Sequence, residues 1–81
     1  MTTGDLRERI RRTTEELLTE LPAANRNVSA AMVVERMRLA SEAHDEVAAC
    51  MAELVDDGQL EGKVLRGDNK VQDVMVKRIL S

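Results

Sequence analysis

The sequence predicts an α+β fold: three helices followed by a β-hairpin, with a very short strand between the first two helices. Three observations carry that expectation. Apolar residues recur at helical spacing as far as Val55, the stop signal Asp57-Gly58 follows, and beyond it the spacing of apolar residues falls to two. With 81 residues the chain has room for a single domain, 1–81, and one core. A domain of this size buries only about 60–65% of its unfolded surface, so its expected stability margin is thin.

The first helix is expected over about residues 5–21. Leu6, Ile10, Leu17, Leu18 and Leu21 form its apolar face, with Thr13 and Thr14 filling the gap. Its other face pairs Asp5 with Arg9, Glu8 with Arg12, Arg11 with Glu15 and Arg12 with Glu16 at one-turn spacing. These pairings explain the arginine cluster Arg7, Arg9, Arg11 and Arg12 as a solvated, salt-bridged surface. Pro22 ends the helix, and Pro22 to Asn27 reads as a loop.

Val28 leaves room for a strand of one or two residues, and Ser29 is placed to cap a second helix over about 30–39. That helix is expected to bury Val33, Met37 and Met32 and to leave Arg36 and Arg38 on its open side. Ser41 is the next capping candidate. Glu42, Asp45 and Glu46 then suit the positive end of a third helix over about 42–57. Val47, Cys50, Met51, Leu54 and Val55 make its apolar stripe, while Ala48, Ala49 and Ala52 are expected to give it a smooth outer face. After Gly58, Leu60 to Arg66 and Val71 to Leu80 read as strands of a hairpin over 59–80, turning at Gly67-Asp68-Asn69-Lys70. Leu60, Gly62 and Val64 share one face with Val74, Val76 and Leu80. Leu65, Val71, Met75 and Ile79 fall on the opposite face.

Composition narrows the functions available. Phe, Tyr and Trp are all missing, which excludes the aromatic platforms on which single-stranded nucleic acids stack. The core must come from Leu, Val, Ile, Ala and the five Met. Fifteen acidic residues against twelve basic ones give a net charge of −3, which counts against tight nonspecific DNA binding. Cys50 is the only cysteine and lies in the apolar stripe, so it reads as a small core residue. His44, six residues earlier, sits about 240° away around a helix and cannot share a site with it. Neither a catalytic triad nor a metal site can be assembled from this set, and no glycine-rich phosphate loop is present. The chain is therefore expected to be no enzyme and to need no cofactor. With no signal peptide or membrane span in the sequence, a cytoplasmic location is expected. Arg66-Gly67-Asp68 and Asn27-Val28-Ser29 match an adhesion tripeptide and a glycosylation sequon, and without an export signal both are read as chance.

The segment Val47-Ala-Ala-Cys-Met51-Ala-Glu-Leu54-Val-Asp-Asp-Gly58-Gln-Leu60 resembles the third helix and first wing strand of the winged helix-turn-helix superfamily. The likeness covers about residues 5–80, and in size and layout the chain is similar to small phage- or plasmid-borne regulators. It implies a DNA-binding transcriptional regulator, paired as a homodimer on double-stranded DNA, with the third helix in the major groove and the hairpin as the wing. The groove-facing positions would be Glu42, His44, Asp45, Ala48, Ala49 and Ala52. Lys63, Arg66, Asn69 and Lys70 would grip phosphates, joined by Arg36 and Arg38. The chain departs from the pattern in one respect: no Arg, Lys, Asn or Gln occurs from Ser41 through Glu53. The alternative is a protein-interaction module. It would use the acidic and alanine face of the third helix (Asp45, Ala48, Ala49, Ala52) or the outer hairpin face (Met75, Ile79).

Overall fold

The computed structural model describes residues 3–22 and 26–80. It is an α+β fold of three helices and a three-stranded antiparallel sheet. The elements in chain order are α1 (Thr3–Glu20), β1 (Val28–Ser29), α2 (Ala30–Arg36), a 3-10 turn (Ser41–Ala43), α3 (His44–Asp56), β2 (Leu60–Arg66) and β3 (Val71–Ile79). Residues 23–25 of the expected loop lie outside the described residues, as do Met1 and Thr2.

α1 buries Ile10, Thr14, Leu17 and Leu18, the stripe its spacing predicts. Thr14 is tolerated at full burial because its hydroxyl donates to the Ile10 carbonyl at 2.8 Å, leaving no orphan polar atom. On the solvent face Arg12 pairs with Glu8 and Arg11 with Glu15, as expected, and Arg11 also approaches Glu8.

Ser29 caps α2, its hydroxyl accepting from the Met32 amide at 3.3 Å. A second acceptor arrives from the far end of the chain: Asp73 Oδ1 takes the Ala30 amide at 3.2 Å. α2 is shorter than its sequence suggests, ending at Arg36 rather than Leu39. The cause is a Schellman turn, in which the Arg38 amide donates to the Glu35 carbonyl and the Leu39 amide to that of Val34, with Arg38 at φ 58°. α3 ends the same way: Gly58, at φ 81°, donates to Val55, and Gln59 donates to Leu54.

Ser41 does not cap α3. The chain enters through the 3-10 turn, whose leading position is Ala40, and the Ala43 amide donates to the Ala40 carbonyl. α3 itself begins at His44 with no side-chain cap, leaving Asp45 and Glu46 in its first turn to offset the helix dipole. Packed against α1, α2 and both hairpin strands, α3 is buried on more than its apolar stripe. Ala48 and Ala52 are inside the core, at 0% and 3% exposure, beside Val47, Cys50, Met51 and Leu54. The expected smooth alanine face is therefore not formed, and Ala49 alone of the three is exposed.

The sheet order is β1-β3-β2, which puts the last strand in the middle. Val28 pairs with Val76, and β2 pairs antiparallel along β3. Two register shifts place Lys77 and Gln72 as extra residues in β3, one near each end. Each shift inverts the alternation beyond it. Val71 and Ile79, expected on the outer face, turn inward and pack against the core. Leu80, expected inside, is outside the strand and half exposed. Gly62 lies against the first shift, and a Cβ there would run into the carbonyl oxygen of Met75. The space between β2 and β3 admits only a hydrogen at that point.

Candidate functional site

The face singled out by the sequence is built by α3 and the tip of the β2–β3 hairpin. α3 is held by its buried side, so the positions left to solvent along it and its lead-in turn are Ser41, Glu42, Asp45, Glu46, Ala49, Glu53 and Asp56. Apart from a serine and an alanine, every one is a carboxylate. The half-buried His44 ring lies 3.7 Å from Asp45, its Nδ1 toward Oδ1.

The hairpin tip faces this row across a shallow cleft, with Asp45 and Ala49 on one wall and residues 66–71 on the other. Lys70 Nζ is 3.3 Å from Asp45 Oδ2, and an Arg66 guanidinium nitrogen is 3.3 Å from Asp56 Oδ2. The two cations expected to reach phosphates are thus turned toward α3. All four side chains are more than half exposed, and ion pairs of this kind contribute about 0–1 kcal/mol. They orient the tip without locking it. Asn69 and Lys63 are exposed, and no ion pair holds Lys63 among the described residues.

Arg36 and Arg38 do not join the hairpin tip. They line a separate depression with Leu17, Met32 and Glu35. Arg36 reaches across to α1, hydrogen-bonded to Glu20 and 3.9 Å from Glu16. The hydrogen bond to Glu20, then the charge of that carboxylate, raises the pKa of the Arg36 guanidinium. Arg38 is exposed and makes no ion pair among the described residues.

The sequence reading missed the carboxylates that answer these cations: Asp56, Asp57, Glu16 and Glu20. Asp57 accepts from Arg7 at 2.6 Å, and that hydrogen bond raises the Arg7 pKa. The partners stand 50 residues apart, and nothing in the sequence marks them. Of the expected partner-binding residues, Asp45 and Ala49 are exposed, Ala48, Ala52 and Ile79 pack in or against the core, and Met75 is half-buried.

Cys50 is buried. Desolvation pushes its thiol pKa up, reinforced by the charges of Glu53 and Glu46, so the reactive thiolate is disfavoured. Among the described residues no group of three or more His, Cys, Asp or Glu is arranged to hold a metal ion, and no helix is long and apolar enough to cross a membrane. Comparison with known proteins returns no family model, no curated protein and no solved structure that matches this chain.

Proposed function

We propose that this chain is a winged-helix domain that docks a basic protein segment on the exposed face of α3. The scaffold reading is supported by the element order, helix–strand–helix–helix–strand–strand, and by the sheet order β1-β3-β2 with β2 and β3 as the wing. The observation that carries the choice of ligand is the sign of the presented helix. Glu42, Asp45, Glu46, Glu53 and Asp56 are exposed there, the helix itself presents no basic side chain, and Lys70 and Arg66 of the hairpin tip answer only Asp45 and Asp56. A helix of this kind entering the major groove sets five carboxylates between two phosphate walls, whereas lysines and arginines on a protein partner meet complementary charge.

A DNA-binding regulator is the second reading, favoured by the same element order and by the exposed Lys63, Arg66, Asn69 and Lys70 on the wing. The weak pairs to Asp45 and Asp56 are cheap enough for phosphates to displace.

The two readings separate in one titration. The isotope-labelled chain is mixed at low salt with a lysine- and arginine-rich peptide and, separately, with random duplex DNA. Under the protein reading the peptide shifts the amide signals of residues 42–56 more than those of α1, and Glu46→Lys with Glu53→Lys removes the effect. Binding of the duplex that falls steeply with salt and is lost in Arg66→Glu/Lys70→Glu overturns that reading in favour of DNA.

A further inference from the structure

We propose that β2 is a self-pairing edge, through which two copies of this chain join antiparallel along Leu60–Val64 with Gly62 facing Gly62 of the partner subunit. Among the described residues β2 has a strand neighbour on one side only. An edge of this kind presents alternate backbone N–H and C=O groups to whatever strand can meet them. Both extra residues of the hairpin are in β3, so β2 itself keeps an uninterrupted alternation. Its outward side chains, Glu61, Lys63 and Leu65, are all exposed, Leu65 at 45%.

The run Leu60-Glu61-Gly62-Lys63-Val64 is complementary to its own reverse. Antiparallel pairing centred on Gly62 sets Glu61 opposite Lys63 of the partner subunit, and by symmetry the same pair forms again. Leu60 then meets Val64 of the partner subunit, apolar against apolar. Opposite charges directly across two strands are stabilising and like charges are not. Centring the pairing on Lys63 sets lysine against lysine, and centring it on Glu61 sets glutamate against glutamate. Parallel pairing in register stacks like on like throughout. One-residue slips turn the core face of one copy outward and are excluded by burial. Pairing centred on Gly62 is the one that sets both charged positions of the run opposite their counterparts, and its occupant is a second copy. Glu61 also holds Arg78 of its own chain at 2.9 Å, and a carboxylate has acceptor capacity for both cations. This inference is independent of what α3 binds.

The test is sedimentation equilibrium of the whole chain over a wide concentration range at low salt, with amide hydrogen exchange alongside. The expected result is association from the 9.0 kDa monomer to twice that mass, with the backbone amides of β2 gaining protection as concentration rises. Lys63→Glu, at an exposed position, should leave the helical circular dichroism unchanged and weaken association by about tenfold or more, since it opposes four carboxylates across the seam. The double exchange Glu61→Lys/Lys63→Glu restores the complementarity and should restore the dimer. A wild-type chain that stays monomeric throughout overturns the proposal. So does a dimer indifferent to Lys63→Glu, or one the double exchange fails to rescue.

Discussion

The ends of α2 and α3 are built from the same pair of hydrogen bonds, yet one carries arginine where the other carries glycine. In both, the residue after the cap adopts a left-handed backbone, Arg38 at φ 58° and Gly58 at φ 81°. Glycine takes that conformation freely, while a residue with a Cβ is disfavoured there by about 1–2 kcal/mol. The hydrogen-bond pattern decides where a helix stops; the residue decides what stopping costs and whether it can be read in advance. Asp57-Gly58 announced the end of α3 within a residue. Met37-Arg38-Leu39 announced nothing, and the second helix was expected to run on.

Substitutions at three backbone positions sharpen that contrast. The largest effect is expected at Gly62, which is glycine for space rather than for φ. Gly62→Ala drives a methyl group into the Met75 carbonyl, and opening the β2–β3 ladder to admit it should cost about 3 kcal/mol, read as a lowered midpoint in urea unfolding. Gly58→Ala meets open space. Its cost is purely conformational and should be about 1–2 kcal/mol; a neutral result would mean that the α3 turn tolerates another backbone shape. Arg38→Gly runs the comparison backwards. Relief of the left-handed strain, less the added freedom of the unfolded chain, should raise stability by about 0.5–1 kcal/mol. A loss there would assign the arginine side chain a packing role.

The smallest expected effect lies in the body of α3 and appears only at alkaline pH. Burial raises the Cys50 pKa above that of the unfolded thiol, so the unfolded chain ionises first. The stabilisation is complete below the unfolded value of about 8.5 and is lost as pH rises through the folded one. Cys50→Ala should flatten that limb of the stability curve, measured as the dependence of the unfolding midpoint on pH.

What the sequence showed was whatever depended on near neighbours: the stripes of α1 and α3, the Ser29 cap, the hairpin and its turn at 67–70, and the pairs Glu8–Arg12 and Arg11–Glu15. What it hid depended on distant ones. Alanine gives no sign of its face, and Ala48 and Ala52 are buried because several elements close on α3 at once. Alternation alone could not reveal that Gln72 and Lys77 are extra residues, and so Val71 and Ile79 were placed on the wrong side. The candidate site was half visible. The carboxylates that lead α3, Glu42, Asp45 and Glu46, and the basic tip were evident, but not Asp56, nor that Arg66 and Lys70 lean toward Asp56 and Asp45, which are 10 and 25 residues away.

The central place of β3 has a consequence for how the molecule is made. Synthesis delivers this strand after every other described element, yet Val28 needs Val76 beside it and the first amide of α2 needs the Asp73 carboxylate. Helices can flicker on the emerging chain, but the sheet has no middle until residues 71–79 are free of the ribosome, and those long-range pairings carry the loop-closure cost that slows folding. Assembly of the sheet therefore waits for β3. A nascent chain halted before residue 71 would display its half-built interior to the cell's proteases.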